Sequence, residues 1–151
     1  MVLRMGLSEL PPSLPIAPGM PPSGILVIDD DAALLEGLAQ MLRIRLQPVQ
    51  IDTCHGSALA LTTVRQGRYD VILCDLWMPG IDGLELLPHL RQAAPEAIIL
   101  MMSAVLDDRV KERAVAGGAM GFLVKPFDRD GLTMTLKQVL QQHSLPRRTA
   151  V

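Results

Sequence analysis

Five short apolar runs alternate along this chain with stretches of helical period, and this alternation restricts the fold more than any other feature. The runs are ILVI (25–28), VQIDTC (49–54), VILC (71–74), IILMM (98–102) and GFLV (121–124). All but the second, which alternates, are apolar at nearly every position, as is typical of strands in a parallel sheet covered on both faces. The order therefore predicts an α/β fold with an open, doubly wound, five-stranded parallel sheet.

Helical periods lie between the apolar runs. The stretch after the second run predicts a second helix, whose apolar face consists of Ala58, Leu61, Thr62 and Val64. Glycines stand at positions 67 and 117–118, where two of the predicted helices should end. We see no internal repeat.

Composition and charge describe a folded domain. Of the 151 residues, 49% are hydrophobic, and the net charge of −2 provides no basic stripe for nucleic acid. The longest apolar run, 97–106, is shorter than the roughly 20 residues that span a bilayer. The N-terminus lacks the apolar core of a signal peptide. We expect a cytoplasmic protein that binds neither nucleic acid nor membrane, with Cys54 and Cys74 as buried free thiols.

The ends of the chain differ from its middle. Residues 1–23 contain six of the twelve prolines and no apolar period, which predicts a disordered Pro-rich leader. Met20 precedes the first strand, so translation beginning there would leave the folded domain intact. We predict one domain over 24–143 and a short flexible tail over 144–151, which with eight residues is too short for a further domain.

Polar side chains follow four of the five runs at the point where each strand should end. Asp29 and Asp30 follow the first run, Asp75 the third and Ser103 the fourth, and Lys125 comes at the end of the fifth. Ligands of such sheets bind beyond the carboxyl ends of the strands, where these groups would converge. Each residue alone is readily explained as a cap, a turn residue or an exposed strand end. Their joint occurrence favours a site.

The charge of this cluster indicates what it would hold. Two or three adjacent carboxylates cannot all stay ionised without a cation. Oxygen ligands without His or Cys favour Mg²⁺. A Mg²⁺ beside a lysine and a hydroxyl suits phosphoryl transfer, in which a carboxylate can be the nucleophile.

The remaining polar candidates are assigned structural roles. Asp31 is expected at the positive end of the first helix, and Asp82 and Asp107 are expected in turns or caps. The three histidines, His55, His89 and His143, are expected outside the cluster, on the surface or on helices.

Four motifs, in this order, resemble the receiver domain of bacterial two-component response regulators. They are ILVIDDD (25–31), DVILCDLWMPGIDGLELL (70–87), IILMMSA (98–104) and GFLVKPF (121–127). The resemblance covers essentially all of 24–142 and implies a flavodoxin-like (βα)5 fold. It also implies that Asp75 is the phosphoacceptor and that Asp29, Asp30 and Asp75 hold Mg²⁺ together with the backbone carbonyl of Trp77.

The resemblance assigns roles to the other strand ends. Ser103 matches the hydroxyl residue that turns toward the phosphate, Lys125 the lysine that contacts a phosphoryl oxygen, and Phe122 the switch aromatic. The Lys125–Pro126 peptide bond is cis in the family. Trp77 and Val105 flank the phosphate and are bulky and apolar, with no group to orient an attacking water, so we expect a comparatively long-lived aspartyl phosphate.

The resemblance implies a single-domain response regulator in phosphorelay signal transduction. It would accept phosphate from a sensor histidine kinase or a histidine phosphotransfer protein, signal to a downstream target protein, and catalyse only its own phosphorylation and dephosphorylation. A relay or phosphate sink that passes phosphate to a histidine phosphotransfer protein is the alternative, and a phosphorylation-dependent homodimer is left open.

Two other classes of protein are disfavoured. Phosphatases with an aspartate nucleophile typically carry a second Asp two residues later, where this chain has Trp77. A DNA-binding regulator would need a helix-turn-helix after residue 143, where eight residues remain.

Overall fold

The structure is a computed structural model that describes residues 23–149, with side chains described as far as residue 143. The elements are β1 (Gly24–Asp29), α1 (Ala32–Arg45), β2 (Gln50–His55), α2 (Ala60–Gln66), β3 (Val71–Asp75), α3 (Gly83–Ala93), β4 (Ile98–Ser103), α4 (Asp108–Ala116), β5 (Gly121–Val124) and α5 (Arg129–Thr149). All but the last residue of the predicted leader, 1–23, lies outside the described residues, so its disorder stays a prediction.

The five strands form one parallel sheet in the order β2-β1-β3-β4-β5. This confirms the doubly wound, flavodoxin-like (βα)5 fold with a five-stranded parallel sheet. The chain winds to one side of β1 through β2 and to the other side through β3, so the winding direction reverses between β1 and β3. Such a switch point leaves a crevice at the carboxyl ends of the two strands. Pairing of Ile28 with Cys74 brings Asp29 and Asp75 to that crevice together.

Each face of the sheet has its own apolar core, because successive residues of a strand point to opposite faces. Leu26, Ile28 and Ile72 pack under α2, α3 and α4, whereas Ile25 and Val27 pack under α1 and α5. Cys54 and Cys74 are buried free thiols, as predicted.

Helix α2 differs from its prediction. It begins at Ala60, so Ala58 precedes it, and Thr62 is exposed. Its buried residues are Ala60 and Val64. A helix of seven residues offers too few positions to define a period, and small or amphipathic residues such as Ala58 and Thr62 fit either face.

The longest element is α5. It continues to Thr149, past residue 143, where the sequence placed the end of the domain, and this boundary stays a prediction. Residues 150–151 of the predicted tail lie outside the described range. None of the helices within residues 23–149 combines the length and the apolar character needed to span a bilayer.

Candidate functional site

The polar residues at the strand ends meet at one edge of the sheet. Asp29 ends β1, Asp75 ends β3, Ser103 ends β4, and Lys125 directly follows β5. The first three are buried, each 5% exposed or less, whereas Asp30 lies just past β1 and is exposed. The structure therefore brings together all five residues that the sequence placed at strand ends.

Lys125 joins the ends of β1 and β3. Its Nζ lies 2.7 Å from Oδ2 of Asp29 and 3.2 Å from Oδ1 of Asp75. Its backbone N–H donates to the Ser103 carbonyl at 3.0 Å, which extends the β4–β5 pairing by one step. The Lys125–Pro126 peptide bond is cis, as the resemblance implied. The ammonium is thus held against both buried carboxylates.

Asp29, Asp30 and Asp75 form a compact set of oxygen donors. Each offers a carboxylate oxygen, and these three oxygens lie within 4.8 Å of one another. Three carboxylates against the single ammonium of Lys125 leave an excess of negative charge. Hard divalent cations such as Mg²⁺ prefer oxygen ligands, so the residues present fit this ion. The part predicted for the Trp77 carbonyl stays a prediction.

Burial and neighbouring charge both act on the carboxyl group of Asp75. Burial, followed by the negative charge of Asp29, raises the pKa of Asp75 to about 6, although Lys125 acts in the opposite direction. Burial alone would lower the pKa of Lys125, but its hydrogen bond to Asp29 and the charges of Asp75 and Asp29 raise that pKa overall. Lys125 therefore stays charged, but its single positive charge does not balance the negative charges of Asp29 and Asp75.

Ser103 faces its own loop. Its Oγ donates to the Val105 carbonyl at 2.7 Å and accepts from the Val105 N–H at 3.1 Å. Both bonds hold the hydroxyl toward the β4–α4 loop, so it would have to leave Val105 to reach a group on Asp75. Phe122, the predicted switch aromatic, is half-buried against the core under α2, α3 and α4.

The loop after Asp75 is tightly built. The Gly83 N–H donates to the Leu76 carbonyl at 2.8 Å, and Gly80 has a φ of +82°, a conformation that favours glycine. Trp77 in this loop is 56% exposed, and Val105 in the loop between β4 and α4 is 70% exposed. Both apolar side chains are therefore largely exposed, in the loops that follow Asp75 and Ser103.

His55 is exposed and is not one of the three residues of the acidic cluster, as predicted, but its ring contacts the backbone of Asp30. Its Nε2 lies 2.8 Å from the backbone carbonyl of Asp30. The only sequence signal was its position at the end of the second apolar run, and this signal is useful only once β2 is known to lie beside β1. His89 is exposed on α3, and His143 lies near Asp70, 3.5 Å from Nε2 to Oδ1, so these two are outside the cluster as predicted.

Three further aspartates cap helices, as predicted. The side chain of Asp31 accepts from Leu34 N–H in α1, that of Asp82 from Glu85 N–H in α3, and that of Asp107 from Val110 N–H in α4. None of them belongs to the acidic cluster.

The sequence profile of the response regulator receiver domain matches residues 25–137. The chain belongs to this family. The transcriptional regulatory protein ZraR of Klebsiella oxytoca is 33% identical to this receiver domain over 116 residues, which are 77% of the chain and 26% of ZraR. The chain thus spans about a quarter of the length of the ZraR relatives that it matches.

Solved structures agree with this assignment. The chemotaxis protein CheY4 of Vibrio cholerae is 28% identical to this receiver domain, with a TM-score of 0.73 over 79% of the chain and 99% of CheY4. A response regulator from Burkholderia pseudomallei, solved with a phosphorylated aspartic acid, a calcium ion and citrate, is 25% identical. Its TM-score is 0.70 over 84% of the chain and 72% of that protein. Since the match to ZraR covers only part of a longer regulator, the single-domain arrangement stays a proposal.

Proposed function

We propose that this receiver domain accepts a phosphoryl group on Asp75 and thereby signals to a protein partner. The donor would be the phosphohistidine of a sensor histidine kinase or of a histidine phosphotransfer protein. The observation that carries the proposal is the placement of Asp75. Its buried carboxylate lies 3.2 Å from the Lys125 ammonium and within 4.8 Å of the carboxylates of Asp29 and Asp30.

The chemistry of the step follows from this placement. A carboxylate oxygen of Asp75 attacks the phosphorus atom, and an O–P bond forms as the P–N bond of the phosphohistidine breaks. The electron pair of the P–N bond returns to the leaving imidazole. Lys125, already beside Asp75, would pair with a phosphoryl oxygen and offset its charge. The domain would thus catalyse only its own phosphorylation and dephosphorylation.

A divalent ion belongs to this proposal. Asp29, Asp30 and Asp75 would hold Mg²⁺, with the Trp77 carbonyl as a further ligand. When bound, Mg²⁺ supplies positive charge beside the phosphoryl oxygens. The pKa of Asp75, raised first by burial and then by the negative charge of Asp29, is in keeping with this part of the proposal, because a bound cation would favour the ionised carboxylate.

The signal would arise from Ser103 and Phe122. A phosphoryl group on Asp75 carries strong acceptor oxygens, and the Ser103 hydroxyl could donate to one of them after leaving Val105. Phe122 would then turn inward. A complete swing between two states needs about 5.5 kcal/mol of differential stabilisation, for which the Ser103 and Lys125 contacts are the candidate sources.

The decisive experiment compares wild type with Asp75→Ala after incubation with Mg²⁺ and acetyl phosphate. We expect one phosphoryl group on wild type by intact-mass measurement, and none on Asp75→Ala. Asp82→Asn is the matched control, because Asp82 caps α3 in the same loop and should leave the modification intact. Modification of Asp75→Ala to the level of wild type would contradict the proposal.

A second assay distinguishes a switch from a phosphorelay intermediate or phosphate sink. Phosphorylated protein is mixed with a histidine phosphotransfer protein, and transfer of the label to that protein would favour the relay. Retention of the label on Asp75 favours the switch. A phosphorylation-dependent homodimer and a cytoplasmic location stay predictions.

A further inference from the structure

We propose that His55 is a positioning residue for the metal site, which holds the Asp30 carboxylate in place by donating a hydrogen bond to the Asp30 backbone carbonyl. The inference rests on the proposed function, since it assumes that Asp29, Asp30 and Asp75 bind Mg²⁺. It adds a residue of β2 to a site otherwise built from β1, β3, β4 and β5.

The end of β2 holds the backbone of both acidic residues. Asp29 is the register partner of His55, and the Gly56 N–H donates to the Asp29 carbonyl at 2.8 Å. The β1–β2 backbone pairing ends there. At the next residue, just past β1, the Asp30 carbonyl instead contacts the His55 ring, with Nε2 at 2.8 Å. The side chain thus continues the pairing past the last residue of the strand.

The direction of this bond follows from its chemistry. A carbonyl oxygen only accepts hydrogen bonds, so Nε2 of His55 must carry the hydrogen. A side chain that replaces His55 must therefore present an N–H at the position of Nε2.

Asp30 needs this support more than the other two acidic residues. Asp29 and Asp75 are buried and contact Lys125, and Oδ1 of Asp29 also accepts from the Asp31 N–H at 3.0 Å. Asp30 is exposed. A ligand that moves freely before binding loses more entropy when it is ordered, so anchoring its backbone favours metal binding.

The test measures Mg²⁺ affinity in the unphosphorylated protein. Trp77 is the only tryptophan and lies two residues from Asp75, so its fluorescence serves as the probe, with titration calorimetry as a second measurement. The variants are His55→Leu, His55→Asn and His55→Gln, together with His89→Leu as a control for loss of an exposed histidine. Denaturant unfolding in chelator is recorded for each variant, to separate metal affinity from stability.

We expect His55→Leu and His55→Asn to weaken Mg²⁺ binding about two- to tenfold, less than the loss of a group bonded directly to a ligand atom, because the effect passes through the backbone. His55→Gln should bind nearly as wild type, since its amide nitrogen can occupy the position of Nε2, whereas the shorter Asn cannot reach it. His89→Leu should bind as wild type.

Two results would overturn the role of His55 alone. One is equal Mg²⁺ affinity in wild type and His55→Leu, and the other is a loss in His55→Gln as large as in His55→Leu. An Asp30→Asn variant keeps the test of the site itself separate. If wild type binds Mg²⁺ no better than Asp30→Asn, both the His55 role and the metal part of the proposed function are wrong.

Discussion

Asp75 carries its charge in an unfavourable place. It is buried at the end of β3 beside Asp29, and the contact with Lys125 offsets only part of this repulsion, so its pKa lies near 6 instead of the ordinary 3.8. A carboxylate in this state is less stable in the folded domain than in water. The placement of Asp75, buried beside a second carboxylate, suits it to hold a cation and a phosphoryl group. The same placement lowers the stability of the metal-free fold.

Asp75→Asn should remove the destabilisation that the ionised Asp75 carboxylate causes in the metal-free domain. Because the folded pKa is the higher one, the native state binds more protons between pH 3.8 and about 6, and wild-type stability falls as pH rises through that window. In chelator, Asp75→Asn should unfold at a higher temperature than wild type at neutral pH, and the difference should shrink toward pH 4. Thermal unfolding measured across this pH range tests the prediction. Glu36→Gln is the control, because Glu36 is an exposed carboxylate on α1. A difference that stays constant with pH would contradict the explanation.

Trp77 is expected to govern the lifetime of the phosphorylated state. Its exposed indole, two residues past Asp75, offers no group suited to orient a water for attack on the phosphorus. Trp77→Asn should shorten the lifetime, because an amide can hydrogen-bond such a water. The measurement follows loss of label from purified phosphorylated protein, with Ile81→Asn in the same loop as the control. Rapid loss from wild type, unchanged in Trp77→Asn, would show that the expectation is wrong.

Among the elements, α3 begins in close contact with the end of β3. Its first residue, Gly83, lies so near the end of β3 that a Cβ there would stand 2.9 Å from Cα of Leu76 and closer still to the carbonyl oxygen of Asp75. These are backbone atoms, so they cannot move aside without shifting Asp75 itself. The Asp82 cap and the bond from Gly83 N–H to the Leu76 carbonyl hold the helix in this position.

Gly83→Ala should therefore destabilise the domain and disturb the site together. We expect a loss of about 2–3 kcal/mol in the free energy of unfolding from overpacking, together with weaker Mg²⁺ binding. Gly37→Ala is the matched control, because a Cβ there would meet nothing within 4 Å apart from the adjacent backbone of α1, and α1 should gain about 0.5–1 kcal/mol from the higher helix propensity of alanine. Urea unfolding measures both variants. If Gly83→Ala were as stable as wild type, α3 would have to be able to move away from β3, and the prediction would be wrong.

For the whole domain, the buried thiol of Cys74 can report on global unfolding. Cys74 lies in the central strand β3 and is completely buried, and burial followed by the charge of Asp75 raises the pKa of this thiol. Only the thiolate reacts with disulfide reagents, so Cys74 in the folded domain should be inert.

In a Cys54→Ala background, we expect Cys74 to be labelled only when the domain unfolds globally. Its labelling rate should rise with urea, and saturating Mg²⁺ should slow it, because an ion that binds the native state reduces the unfolded population. Asp30→Asn should abolish the effect of Mg²⁺. Fast labelling that responds to neither urea nor Mg²⁺ would place the opening in a local motion of β3.

Several features could be predicted from the sequence because their causes are local. Apolar runs define strands, an aspartate before an apolar period defines a cap, and the alternation of strand and helix requires a parallel sheet whose carboxyl ends meet. The cluster of Asp29, Asp30, Asp75, Ser103 and Lys125 followed from that geometry without knowledge of the strand order. The roles of Trp77, Ser103 and Phe122 came instead from resemblance to the receiver family.

The class of fold and the residues of the acidic site therefore follow from local sequence patterns, whereas the groups that surround these residues depend on how the elements pack. The start of α2 escaped prediction because packing against the sheet, and not its short pattern, sets its buried face. The contact of His55 with Asp30 could not be predicted because it depends on β2 lying beside β1, and the order of the strands is set by the packing of the whole sheet. The bonds from Ser103 to Val105 were hidden for the same reason, since a hydroxyl selects its partner from the groups that folding brings within reach.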